Sequence, residues 1–153
     1  MTELTLAEKL WEIEQIKLLK ARYWRFVDTR DWDGVIALFA PDCRMRSTVF
    51  EGVERPAEFF RKVAAQITPG ISVHHGHTPE IELTSATTAT GIWPMFDYVD
   101  TESREIGYKG YGHYHETYEK FPDAGWLITS FELRRLRLDH LYEHAAPLRA
   151  QGS

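Results

Sequence analysis

Cysteine is nearly absent from this 153-residue chain: Cys43 stands alone, so neither an internal disulfide nor a cysteine-based zinc site can staple the fold. Burial of apolar surface must hold it together. No apolar run approaches the roughly 18 residues that a membrane-spanning helix needs. The amino terminus, MTELTLAEKL, has neither the basic start nor the apolar stretch of a signal peptide. A soluble, cytoplasmic protein with no membrane partner is therefore expected. Basic charge is also scarce: 18 Lys and Arg face 23 Asp and Glu, for a formal charge of −5. Only Arg134, Arg135 and Arg137 cluster, so a nucleic-acid partner is poorly supported and a small, largely apolar one fits better. Hydrophobic residues at 43% and aromatics at 13% suffice for a core, and one domain over 1–153 is expected. Its core would run over about 6–138, followed by a tail over 139–153 whose last residues should be mobile.

Apolar residues recur as Leu6, Leu10, Ile13, Ile16, Leu19, Tyr23, Phe26 and Val27, the steps of three and four that mark an amphipathic helix. Thr5 followed by Glu8 reads as a capping box, and Asp28 to Asp33 supplies the break at the far end. A shorter helix is expected over Trp32 to Phe39, closed by Ala40-Pro41, then a strand between Asp42 and Phe50 and a turn at Glu51-Gly52. Pro56 can open a further helix through Phe59, Phe60, Val63 and Ile67, ended by Pro69-Gly70. After Gly70 the period changes to two, in segments at about 71–83, 87–99, 106–121 and 126–138 that read as four strands. Helices first and consecutive strands afterwards predict an α+β domain with helices on one face of a mainly antiparallel sheet.

Five of the seven histidines fall in two of these strands: His74, His75 and His77, then His113 and His115. Alternation puts His75 and His77 on one face and His74 on the other. Strand histidines commonly do no more than hydrogen-bond within a sheet or cap its edge. Polar residues planted among apolar ones suggest a sharper reading: Tyr23 and Asp28 on the long helix, His74, and Asp97 inside IWPMFDY. Buried carboxylates are rare without a partner. A Tyr hydroxyl, a His and two carboxylates in one apolar cavity would supply a general base, a group to orient it and a hydrogen-bond donor. That set suits proton abstraction next to a carbonyl. Residues five apart on an ideal helix lie about 140° apart, so Tyr23 and Asp28 share a pocket only if the last turn is distorted; otherwise Asp28 is a solvated carboxylate at a helix end.

These stretches, KARYWRFVDTRDWDGVIALFAPD, ISVHHGHTPEIELTSATTATGIW and GYGHYHETYEK, resemble the SnoaL-like branch of the nuclear transport factor two-like (cystatin-like) superfamily. Within it the bile-acid 7-alpha-dehydratases look closest and the scytalone dehydratases more distant. The likeness runs from about Leu6 to Leu138 and implies a cystatin-like cone: a curved, mainly antiparallel sheet wrapped by N-terminal helices around a deep apolar pocket. It also implies catalytic roles for Tyr23, Asp28, His74 and Asp97 and a substrate-binding role for Arg135, with Arg134 and Arg137 close enough to exchange with it. A pocket tyrosine of the relatives meets Ser47 here, and His113 and His115 stand where they have other residues. Resemblance further suggests a homotrimer, or alternatively a homodimer.

The expected activity is cofactor-independent β-elimination: His74, held by Asp28 or Asp97, removes a C–H proton, and a hydroxyl leaves while Tyr23 donates a hydrogen bond. No metal or nucleotide is required. The substrate would be a hydrophobic polycyclic or aromatic hydroxylated compound, such as a steroid-like enone. Trp24, Phe39, Phe50, Phe60, Trp93, Phe96, Tyr111 and Phe131 are candidates for its aromatic wall, with Tyr111, Trp93, His113 and Ser47 among its binding residues; aromatics at such spacing are more often plain core. Relatives that act as isomerases, dehydrohalogenases or C–C lyases releasing formaldehyde from lignin-derived diaryl compounds supply the nearest alternatives. Two further classes are a metal site built on the His75/His77 or His113/His115 pairs, and a binding protein that kept the cone and lost the chemistry. Arg134 is expected on one face of the last strand, with Arg135 and Arg137 on the other.

Overall fold

The computed structural model describes residues 3–47 and 52–143. Helix α1 spans Leu6–Asp28, and its start is the capping box: the Thr5 hydroxyl accepts from the Glu8 N–H at 3.3 Å, and the Glu8 carboxylate accepts from the Thr5 N–H at 2.8 Å. Its buried stripe is Glu12, Ile16, Leu19, Lys20, Tyr23 and Val27, whereas Leu6 and Leu10 are exposed. Two charged residues thus hold places on the inner face, because partners from the sheet meet them. Glu12 accepts from Trp126 Nε1 at 2.7 Å and from Lys120 Nζ at 2.6 Å, and Lys20 donates to Glu116.

Helix α2 (Trp32–Ile36) is capped by the Asp31 carboxylate on the Gly34 N–H at 2.9 Å. It ends earlier than the sequence suggests, and strand β1 (Phe39–Arg46) starts earlier. Pro41 therefore lies inside a strand rather than closing a helix. It can do so because β1 is an edge strand whose register with its neighbour is irregular between Phe39 and Arg44. Helix α3 (Pro56–Ile67) opens on its proline, as expected, and buries Phe59, Phe60 and Ile67. Phe50, Glu51 and the tail beyond 143 lie outside the described residues.

The remaining strands are β2 (Gly70–Gly76), β3 (Glu80–Leu83), β4 (Thr88–Thr101), β5 (Gly107–Phe121) and β6 (Gly125–His140). The segment expected as one strand over 71–83 is two, both antiparallel to β4 and paired with successive halves of it. The curved six-stranded sheet runs β1-β6-β5-β4-β2, with β3 also on β4, and only the β1–β6 pair is parallel. Along β4 the alternation is unbroken: Ala89, Trp93, Met95, Asp97 and Val99 are buried on the concave face that holds the helices, while Thr90, Ile92, Phe96 and Tyr98 face outward. Along β6 it breaks. Gly112 pairs with Arg135 but Tyr111 pairs with Arg137, so Leu136 is an extra residue, a β-bulge that reverses the inward and outward phase of the rest of the strand. Among the described residues no helix is long and apolar enough to cross a membrane.

Candidate active site

A pocket with about 560 Å³ of empty space, counted out to its open mouth, lies between the concave face of the sheet, α1 and α3. Val27, Phe59, Phe60, Val63, Phe131 and Leu133 make much of its apolar wall. Among them stand the polar side chains of Tyr23, Ser47, Gln66, His74, Asp97, Tyr108, Tyr114 and Arg135.

His74 sits on β2 beside the carboxyl end of α1. Its Nδ1 lies 2.6 Å from Asp28 Oδ1, and its backbone N–H donates to Asp28 Oδ2 at 2.8 Å. The Ser72 hydroxyl donates to the same carboxylate at 3.0 Å and accepts from Arg30 Nη1 at 2.6 Å. Arg30 itself stands in the left-handed backbone region, with φ 62°, and its guanidinium also donates to the carbonyls of Val27 and Gly70, each at 2.9 Å. The turn after α1 is thereby tied to β2. Asp28 and Tyr23 need not point the same way, because Asp28 reaches sideways to His74 while Tyr23 reaches the pocket. A carboxylate accepts only, so His74 carries a proton on Nδ1, and in the neutral imidazole Nε2 is the nitrogen left to accept one.

Asp97 faces His74 across the β2–β4 pair and is 1% exposed. Its nearer oxygen is 3.9 Å from His74 Nε2, beyond hydrogen-bond reach, so Asp28 and not Asp97 orients the imidazole. Arg135 holds Asp97 with a two-pronged contact, Nη1 to Oδ1 at 2.9 Å and Nη2 to Oδ2 at 2.6 Å. Burial opposes the Arg135 charge, but the bonds and charge of Asp97 outweigh it and hold the guanidinium protonated. A Cβ at residue 110 would fall on both groups of this pair, which is why glycine faces them from β5. Burial lifts the hydroxyl pKa values of Tyr23, Tyr114 and Tyr108 well above the ordinary value; at Tyr23 an interaction with the Tyr114 hydroxyl offsets part of the rise. These phenols are protonated donors at neutral pH.

The structure thus brings Tyr23, His74, Asp97, Arg135 and Ser47 to one pocket, with Asp28 behind His74. It does not bring Tyr111 and His113 there. Both stand on the outer face of the sheet, because the inner set of β5 is Tyr108, Gly110, Gly112, Tyr114, Glu116 and Tyr118; Tyr111 is 37% exposed and packs on Phe96. Trp93 faces inward but away from the cavity, donating to the Tyr118 hydroxyl at 2.8 Å and packing on Trp24. Of the other aromatic candidates, Phe60 and Phe131 line the pocket and Phe39 is core. Arg137, expected beside Arg135, is turned outward by the bulge and pairs with Asp139, and Arg134 pairs with Glu132. Phe59, Gln66, Tyr108 and Tyr114 were not singled out from the sequence; the last two share the phase of Gly110 and Gly112, which marks the crowded side of β5. Among the described residues no group of three His, Cys, Asp or Glu side chains is gathered as a metal ion would require.

The model of the SnoaL-like domain family matches residues 8–132. Among solved structures, a candidate scytalone dehydratase from Novosphingobium aromaticivorans DSM 12444 superposes with a TM-score of 0.80 at 20% identity, covering 97% of this chain and 100% of that one. The hexachlorocyclohexane dehydrochlorinase LinA-type3 of Novosphingobium barchaimii LL02 gives 0.78 at 17% identity, covering 94% and 99%. A Nostoc punctiforme protein of unknown function with a cystatin-like fold gives 0.65 at 21% identity, covering 88% and 95%. At these identities the likeness is one of fold: the cone expected from the sequence.

Proposed function

From the membership of this chain in the SnoaL-like domain family, we propose that it is a cofactor-independent lyase acting on an uncharged, hydrophobic polycyclic or aromatic substrate that carries a hydroxyl β to an acidic C–H. The observation that carries this reading is the His74–Asp28 dyad, in which Asp28 takes Nδ1 and leaves Nε2 as the second nitrogen of a side chain lining an apolar pocket. Two structural neighbours bear the names of a dehydratase and a dehydrochlorinase, and both names denote eliminations.

In the proposed reaction His74 Nε2 takes the C–H proton, the C–H electron pair forms the new C=C bond, and the C–O bond breaks. The departing oxygen leaves as water with the proton that the imidazolium returns. Asp28 favours the imidazolium while it exists. Tyr23, kept protonated by burial, donates a hydrogen bond to the oxygen on which charge develops. The Asp97–Arg135 pair sets a fixed dipole beside His74, and because each group occupies the other, neither is a free counter-ion for a charged substrate.

The test is mass spectrometry of a panel of enones and β-hydroxy aromatic compounds incubated in deuterated water, with wild type beside His74→Ala. Loss of water that depends on His74 is the expected result. Loss of formaldehyde would move the assignment to a C–C lyase, and deuterium uptake without mass loss would make the protein an isomerase. Binding without change in either protein would sink the acid-base reading. The outer sheet face, where Phe96 meets Tyr111 and Leu136 is 75% exposed, supports self-association; the homotrimer that resemblance suggests and the alternative homodimer would be distinguished by native mass spectrometry.

A further inference from the structure

Lys20 and Glu116 form an ion pair with no exposed surface on either side chain. Two charges are taken out of water only at a cost that good geometry must offset, and the acid-base set described above uses neither of them. Lys20 stands one helical turn before Tyr23 on the buried stripe of α1. Its Nζ lies 4.1 Å from the centroid of the Tyr23 ring and 3.7 Å from that of Tyr114, the two phenols of the pocket that interact with each other. Glu116 accepts from Lys20 on one side and from the Tyr118 hydroxyl on the other. The pair is therefore oriented, with its cationic end on the two pocket phenols and its anionic end on a tyrosine outside the pocket.

A ring face attracts a cation, and more strongly where water is excluded. A cation held there draws electron density away from the phenol oxygen and makes its O–H a better donor. We propose that Lys20 is a positioning residue: anchored by Glu116, it polarises Tyr23 and Tyr114 through their ring faces and strengthens the hydrogen bond that Tyr23 offers in the pocket. This rests on the reading of Tyr23 as the donor in the elimination. Burial pulls the Lys20 ammonium down to about 8 while Glu116 opposes the fall, so the cation is present at neutral pH.

The test reads the ligand-free protein labelled with carbon-13 at the tyrosine Cζ, with Tyr23, Tyr114 and Tyr108 assigned by single Phe variants. Lys20→Met alone would strand Glu116, so the informative variant is Lys20→Met/Glu116→Gln, beside Lys20→Arg, which keeps the charge. In the folded double variant the Tyr23 and Tyr114 signals should move together while Tyr108 holds still, and Lys20→Arg should stay near wild type. Unmoved signals in the folded double variant, or an equal displacement in Lys20→Arg, would overturn the proposal. Wild type supplies a measurement that needs no variant to fold: with the Lys20 side-chain nitrogen followed in the same titration, the Tyr23 and Tyr114 signals should shift with its midpoint, which burial lowers from that of an ordinary lysine, and tyrosine signals that stay flat while Lys20 loses its proton would overturn the proposal equally. On a compound that wild type converts, the double variant should lose about tenfold in kcat with KM changed less than about twofold. A wild type that converts nothing would end the lyase reading and leave the tyrosine signals to decide the role of Lys20.

Discussion

Asp28→Asn removes one charge and almost no volume from behind the proposed base. The carboxylate accepts the His74 backbone N–H at 2.8 Å and faces His74 Nδ1 at 2.6 Å. An amide has one accepting oxygen. If that oxygen keeps the backbone N–H, its NH2 group faces Nδ1, the imidazole proton moves to Nε2, and the atom directed at substrate can no longer accept one. If the amide is turned the other way, two N–H donors oppose each other. A hydrogen bond to a charged group is worth about 1.5–3 kcal/mol, or roughly 10- to 150-fold in rate. Loss of a general base is worth about 10²–10⁴. We expect kcat to fall by about 10²–10⁴ while KM stays within about twofold, because Asp28 acts on substrate only through His74. Steady-state kinetics on a compound converted by wild type would measure this, and nitrogen-15 spectra of the imidazole would report the tautomer without any substrate. A variant that kept half the wild-type kcat, or that retained the Nδ1–H tautomer, would refute the reasoning.

Arg135→Met should leave the Asp97 carboxylate buried and unpaired, at a cost of about 3–5 kcal/mol, and thermal unfolding should show a fall of several degrees in Tm. Arg137→Met, on the outward side of the bulge, should stay within about 0.5 kcal/mol of wild type in the same measurement. Gly110→Ala sets a methyl group against the Asp97–Arg135 pair and should cost about 1–3 kcal/mol together with most of the activity, as melting and turnover would show. Tyr23, Tyr108, Tyr114 and Tyr118 have hydroxyl pKa values raised by burial, against about 10 in the unfolded chain. Above pH 10 the folded form therefore binds more protons than the unfolded one, and stability falls as pH rises. Phenolate absorbance should show Tyr23, Tyr108, Tyr114 and Tyr118 ionising together in one cooperative step; a smooth titration of all seven tyrosines would contradict the burial described.

Local chemistry made much of this legible beforehand. The capping box at Thr5 and Glu8, the period of α1 and the alternation of β4 each depend on neighbours within a few residues. His74 and Asp97 could be placed on strands, and resemblance joined them to Tyr23 and Asp28. What stayed hidden depends on pairing across the sheet. Both alternating sets of GYGHYHETY carry aromatics, so hydropathy alone does not say that Tyr114 faces in and Tyr111 and His113 face out; Gly110 and Gly112, small because Arg135 and the β6 backbone press on them, were the available sign. Lys20 reads as a solvent residue until its partner, 96 positions away, is known. The outward turn of Arg137 comes from one unpaired residue on β6, which no pattern of hydrophobicity encodes.

That residue, Leu136, is the second of two extra residues on β6, after Thr129, and the stretches on either side of it have opposite parity. Upstream, an odd-numbered position such as Arg135 meets the cavity; downstream, an even-numbered one such as Leu138 joins the core. A cluster of three basic residues is thus sorted between interior and exterior by register alone. Moving the extra residue one step upstream, to position 135, would set Leu136 opposite Gly112 and bring an apolar side chain to Asp97 in place of its arginine. The partner of the buried Asp97 carboxylate is therefore chosen by strand register as much as by residue type.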